Sequence, residues 1–357
     1  MDDAVAVVLF VAVTAYAVFG GADFGAGFWD LVAGGAARGA RPRALVDHSI
    51  GPVWEANHVW LIFALVVLWT AFPEAFASIT LTVFVPLTLV ALGIVLRGAS
   101  FAFRKSLFRT PHRRVLGAIF AFSSVLVPYC MGAVAGAVAS GRVPAGGEAG
   151  DPWSSWVNPT SIVGGVLAVA VCAYLAAVYL IWDARRLEHE PMVEYFRRRA
   201  VVAAVAAGAV AFAGIFVLRS DARHVFDGFT ARALPLAVLS AMCGIGSLVL
   251  LVRRSARGAR LLAVGAVASV VWAWGVAQWP YILPTSLKVS AAAAPSATLT
   301  TVLVVFGAAT VVILPSLALL YVLDQRSLLP EEGGATPATS RAGADARGGA
   351  RQPSKPA

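Results

Sequence analysis

The chain has 357 residues, 59% of them hydrophobic and only 13% charged, with a formal net charge of +9. A mean hydropathy of +0.79, with about half the charged share of a soluble globule, excludes the water-soluble classes and predicts an all-α polytopic membrane protein. The excess of positive charge does not signal nucleic acid, because the basic residues fall between apolar runs, where topology signals lie.

Nine apolar runs are long enough to cross a bilayer, which takes about 20 residues. They cover 4–27, 54–72, 77–97, 115–139, 160–182, 200–218, 234–252, 259–282 and 300–323. The first follows an acidic start, Met1-Asp2-Asp3, with no small-residue cleavage site after it, so it is expected to be retained as a helix. It ends in Gly20-Gly21-Ala22-Asp23-Phe24-Gly25-Ala26-Gly27. Asp23 there is a charge at membrane depth, which is costly and usually has a task or a partner. Gly21 and Gly25 form a small-xxx-small pair suited to close helix contact.

The second run opens with Gly51-Pro52-Val53-Trp54-Glu55-Ala56-Asn57-His58-Val59-Trp60. Glu55 and His58 are three apart and share a helix face, with Trp54, Asn57 and Leu61 on the neighbouring stripe. Phe72-Pro73-Glu74 is a very short connection to the third run, which ends at Arg97. Pro152-Trp153-Ser154-Ser155-Trp156 reads as an interfacial anchor before the fifth run. The eighth run closes with Gln278-Trp279-Pro280-Tyr281-Ile282-Leu283-Pro284, where the prolines break the helix and the aromatics anchor it. Cys130, Cys172 and Cys243 lie inside apolar runs and read as small core residues. From Pro330 the chain turns to Gly, Ala, Pro, Ser and Arg, so a membrane domain over 1–329 and a disordered tail over 330–357 are expected.

Alternate connections differ in charge. Segments 28–53, 97–114, 183–199 and 253–260 and the tail hold most of the basic residues, whereas the opposite side has only Arg142, Arg219, Arg223, Arg232 and Lys288. The positive-inside rule then puts the N-terminus outside and the C-terminus in the cytoplasm, and an odd number of spans agrees.

In that orientation Asp23, Glu55, His58 and Arg97 come from three adjacent helix ends at one depth on the cytoplasmic side. Two readings stay open. A carboxyl there could take up protons from the cytoplasm, with Glu55 the leading candidate and Asp23 and His58 beside it. Alternatively, Arg97 neutralises Asp23 or Glu55 in an ion pair that fixes the helices. His48, His112, His189 and His224 lie in loops, so the imidazoles for a bis-histidine haem or a copper–haem centre are not supplied. No GxGxxG or P-loop fingerprint is present. A single haem held by His58 and one other ligand stays open at this point; otherwise no catalytic, cofactor-binding or metal-ligating residue is expected in this chain.

The stretch from Tyr16 to Leu31 resembles the first helix of subunit II of cytochrome bd-type quinol oxidases, and Gly51 to Leu61 resembles that subunit's second-helix signature. Ala71-Phe72-Pro73, Leu96-Arg97-Gly98, Trp279-Pro280-Tyr281-Ile282-Leu283-Pro284 and the pattern from Thr298 through Pro315 to Tyr321 match in the same order. The resemblance implies two four-helix bundles plus one peripheral helix in a bacterial plasma membrane. It also implies a heterodimer with a subunit I that carries haems b and d and the quinol site. That complex oxidises quinol and reduces dioxygen to water. Membrane lipid surrounds it, and there is room for a structural quinone or a small accessory subunit; no nucleic-acid partner is implied. Two positions depart from the family pattern: Gly20 and Ala102 stand where many members have acids, and Glu55 stands where Asp is frequent. These departures keep a purely structural or assembly role open. From the residues alone a proton-coupled transporter is the remaining class, although such proteins place their sites at the midplane among broken helices.

Overall fold

The computed structural model describes residues 1–35, 37–50, 54–106, 110–255 and 258–325; the expected tail 330–357 lies outside them. Apart from one short hairpin the described chain is helical: α1 (Asp2–Ala15), a π-turn (Tyr16–Gly20), α2 (Gly21–Leu31), α3 (Ala40–Ile50), α4 (Trp54–Ala71), α5 (Pro73–Thr82), α6 (Phe84–Ser106) and α7 (Thr110–Ala139). Then follow α8 (Pro159–Arg186), α9 (Glu190–Asp221), α10 (Arg223–Gly228), a second π-turn (Phe229–Ala233), α11 (Leu234–Val252), α12 (Ala259–Gln278), the hairpin β1–β2 (Tyr281–Leu283, Leu287–Lys288), α13 (Val289–Ala292) and α14 (Ser296–Gln325). Among the described residues eight helices are long and apolar enough to cross a membrane, and a ninth crossing results if α4 and α5 count as one broken span.

That break corrects the expected third span over 77–97. Residues 73–82 form α5, bent by 117° from the segment Asn57–Ala71, and the next crossing helix begins at Phe84. Proline is the cause: it disfavours helical geometry at the residue before it and lacks an N–H. Phe72 accordingly sits at φ −134°, ψ 61°, and Pro73 starts α5 at its first turn. The Ala71 carbonyl freed at the break accepts a hydrogen bond from Ala294 N at 2.8 Å. Other ends move less. The first crossing runs over Asp2–Leu31, the sixth over Glu190–Asp221 and the seventh over Arg223–Val252, each longer than its apolar run. The eighth stops at Gln278, where the chain enters the hairpin.

Local chemistry sets several of these ends. Asn158 caps α8 by accepting from Ser161 N at 2.9 Å, Pro159 occupies its first turn, and Arg185 and Arg186 face the carbonyl end. At the far end of α9, Asp221 accepts from Arg142 Nη2 at 2.6 Å and from Thr160 Oγ1 at 2.6 Å, tying the 140–158 loop to two helices.

The first four crossings and the next four pack as two bundles. They meet where α8 packs against α7 and α2. Lipid removes the hydrophobic drive between helices, so close contact must come from small residues. A Cβ on Gly25 would meet the Cys172 carbonyl, one on Gly27 the Ser124 side chain, and one on Gly132 the Gly164 backbone. The small-xxx-small reading of Gly21 and Gly25 thus matches a real helix contact. The last crossing, α14, leans on α1 and α4, with Phe306 stacked on Phe63 at 5.5 Å, and presents the rest of its surface outward.

Candidate functional site

The polar centre of the protein is one buried ion pair. Asp23, in the first turn of α2, is 4% exposed, and Arg97, well inside α6, is 1% exposed. Arg97 therefore lies deeper than the helix end expected for it, because α6 continues to Ser106. Its guanidinium donates from Nη1 to Asp23 Oδ2 at 3.1 Å, from Nη2 to Asp23 Oδ1 at 2.9 Å, and from Nη2 to the Asp23 carbonyl at 3.2 Å. Nε donates to Ser124 Oγ at 3.1 Å, and Ser124 Oγ in turn donates to the Phe120 carbonyl at 2.7 Å. The rings of Phe24 and Phe120 each lie 4.9 Å from the guanidinium carbon. A buried charge is tolerated only when paired and hydrogen-bonded, and this one is held by two carboxylate oxygens, a carbonyl, a hydroxyl and two aromatic faces. Geometry of this kind is specific to arginine, whose planar fork matches a carboxylate and stacks on rings.

The glycines of α2 make the pair reachable. Gly25 and Gly27 let the helix approach α8 and α7 closely enough for Ser124 to lie beside Arg97. Below the pair, α2 is anchored by Trp29 Nε1 donating to the Ala173 carbonyl at 2.8 Å, and by Asp30, whose Oδ1 accepts from Arg43 Nε at 2.7 Å.

His58, half-buried on α4, joins the cluster from another side. Its ring is 5.8 Å from Phe24 and 6.1 Å from Tyr16. Asn57 is half-buried one residue earlier. The side chains of Trp54 and Glu55 lie outside the described residues, so the leading sequence candidate is located only by its backbone at the start of α4. The structure thus unites Asp23, Arg97 and His58 as expected. It adds Tyr16, Phe24, Phe120 and Ser124, which sequence reasoning missed. Tyr16 carried a signal: it stands seven residues before Asp23, two turns up the same helix face. Ser124 and Phe120 carried none, being apolar-run residues on a helix distant in sequence. Of the two departures, Gly20 lies against the Tyr16 ring and Ala102 is exposed.

A concavity lies between α1, α12 and the hairpin. It is an apolar cavity of about 250 Å³ lined by Ala6, Phe10, Trp272, Gly275, Trp279 and Tyr281 among others, with Arg232 on its wall. The aromatics expected as an interfacial belt line this cavity. Among the described residues no group of three or more His, Cys, Asp or Glu side chains is arranged to hold a metal ion.

Comparison with known proteins gives this arrangement its context. A chain of the bd oxidase from Geobacillus thermodenitrificans superposes with a TM-score of 0.71 over 90% of this chain and 98% of that one; at 22% identity this likeness establishes the fold. The cytochrome bd ubiquinol oxidase subunit 2 of Bacillus subtilis (strain 168) is 26% identical over 227 residues, 62% of this chain and 64% of that protein. The cytochrome bd-I ubiquinol oxidase subunit 2 of Escherichia coli (strain K12) is 26% identical over 225 residues, 61% of this chain and 56% of that one. The aligned region therefore spans less than two thirds of either relative. The sequence profile described as cytochrome bd terminal oxidase subunit II matches residues 1–324, and the chain belongs to that family.

Proposed function

We propose that the chain is the non-haem subunit of a bd-type terminal quinol oxidase. In the complex, two quinols give four electrons and four protons, and dioxygen with four protons from the opposite side becomes two waters. The observation that carries this reading is the family match over residues 1–324. The fold it shares with a bd oxidase chain supports the same reading. Haems b and d and the quinol site belong to a subunit I partner on this reading, as membership of the family implies. The N-terminus is assigned to the outside and the C-terminus to the cytoplasm, which the basic residues of alternate connections support.

Within this role Glu55, followed one turn later by His58, is the proton-entry candidate. Asp23 is committed to Arg97 and serves first to lock α2 to α6. The test is affinity purification of the chain with its partner. Haem b and d bands and quinol-driven oxygen consumption are expected, and recovery without a haem protein would overturn the assignment. Glu55→Gln is expected to slow turnover per haem; unchanged turnover and proton uptake would remove Glu55 from the mechanism.

A second reading, a subunit that only holds its partner, is favoured by the saturated Asp23–Arg97 pair. It predicts that Glu55→Gln changes the yield of haem-loaded complex and leaves turnover per haem intact.

A further inference from the structure

Two polar atoms beside the ion pair have no hydrogen-bond partner among the described residues: Tyr16 Oη and His58 Nδ1, both buried. Buried polar atoms are nearly always bonded to protein or to ordered water, because an unmade hydrogen bond there is costly. The two rings are neighbours, with centroids 6.1 Å apart, and both pack edge-on against Phe24, at 6.3 Å for Tyr16 and 5.8 Å for His58. A water shared between two otherwise unpartnered polar groups is the usual resolution of such a pair.

The backbone around Tyr16 points the same way. Tyr16 opens the π-turn Tyr16–Gly20, and such single wide turns inside α-helices recur at functional sites. A Cβ on Gly20 would lie 2.8 Å from the Tyr16 ring, so glycine at that position lets the ring lie back along its own helix. Tyr16 stands midway along the crossing Asp2–Leu31, and His58 stands one turn beyond Glu55 on α4. Tyr16 and His58 thus link the Glu55 end of α4 to the middle of the first crossing.

We propose that Tyr16 and His58 form a water-bridged proton relay, running inward from Glu55; this rests on the proton-entry reading given above. A proton arriving at His58 Nε2 releases the Nδ1 proton to the bridging water. The water passes one of its own protons to Tyr16 Oη, and the tyrosine hydroxyl proton moves onward. Each group ends with the protons it began with, and one proton has crossed the cluster. Among the described side chains, the other ionisable groups facing this path are Asp23 from α2, Arg97 from α6 and the Cys172 thiol from α8. Asp23 and Arg97 bond each other and present a closed, net-neutral wall.

The test uses the intact complex with its haem partner. Turnover per haem is measured in H2O and D2O for Tyr16→Phe, which removes only the hydroxyl, and for His58→Gln, Glu55→Gln and the Tyr16→Phe/His58→Gln pair. The relay predicts that each single change lowers turnover roughly tenfold or more and raises the solvent isotope effect. The double variant should be no slower than the slower single, since both act in one path. Gly20→Ala, which displaces the Tyr16 ring, should raise the isotope effect as well. If Glu55→Gln is slow and Tyr16→Phe matches the unmodified complex in both readouts, the relay is overturned and the Glu55 reading survives. If all variants match it, both are overturned. A loss confined to the yield of haem-loaded complex, with turnover per haem and isotope effect unchanged, also overturns the relay.

Discussion

At the scale of single residues, the protein concentrates its polar chemistry around Arg97. The partners of that guanidinium come from two helices other than its own: Asp23 and Phe24 from α2, Ser124 and Phe120 from α7. Removing one member of a buried pair leaves the other charge unpaired, a cost of about 3–5 kcal/mol, whereas replacing both by apolar residues of similar size is often close to neutral. Asp23→Asn should therefore lower the thermal midpoint of the complex sharply, and Asp23→Leu with Arg97→Met should recover most of the loss. A double variant as unstable as the single would show that the pair is more than a packing element. Arg97→Lys should also destabilise, because a point charge keeps neither the two-pronged carboxylate contact nor the contacts of a planar group with two aromatic rings. That Arg97 would pair with Asp23 or Glu55 was legible in the sequence, since opposite charges in apolar helices seldom stand alone; that Asp23 takes it was not. Nor were their neighbours. Ser124 and Phe120 gain meaning only when α7 is laid against α6, and no local pattern encodes that register.

At the scale of elements, glycine decides which helices touch. Gly25 on α2 faces the Cys172 backbone with no room for a methyl group, whereas Gly208 on α9 has nothing within 4 Å of its Cβ position. Gly25→Ala should push α2 away from α8 and cost about 1–3 kcal/mol. Gly208→Ala, in open surroundings, should stabilise by about 0.5–1 kcal/mol through helix propensity alone. Thermal unfolding of the two purified variants checks both, and equal effects would discount the contact.

The loop elements obey water chemistry instead. Asp151, between α7 and α8, accepts from Trp153 N at 2.9 Å and Ser154 N at 2.6 Å, and these backbone bonds hold its carboxyl below the usual aspartate value. A lowered value in the folded state means that the turn's stabilisation is present at neutral pH and is lost as pH falls below about 4. Emission from Trp153 and Trp156 should hold steady down to that point and shift beneath it, and Asp151→Asn should remove the transition. The number of crossings was readable from apolar length, and the break at Phe72-Pro73 was visible as a short connection. Its consequence was not readable: hydropathy reports how long a segment stays apolar and says nothing about direction, so a helix turned by 117° was merged into the following span.

At the scale of the whole molecule, the functional reading depends on which way up the chain sits. Glu55 can draw protons from the cytoplasm only if the α4 start faces it, and the charge asymmetry of the connections is the argument that it does. The 140–158 loop then faces outward, where Asp221 binds Arg142 and Thr160. Ser154→Cys, placed on that exposed loop, should react with a membrane-impermeant maleimide in intact cells, whereas a cysteine at exposed Glu188 should react only after the membrane is opened. The native cysteines add little background, since Cys130 and Cys172 are buried and Cys243 is half-buried within α11. The reverse labelling pattern would leave the fold and the ion pair unchanged but turn Glu55, His58 and Tyr16 toward the outside. Protons would then enter from the side to which quinol oxidation releases them, no charge would be separated by their uptake, and proton entry through this subunit would have to be abandoned.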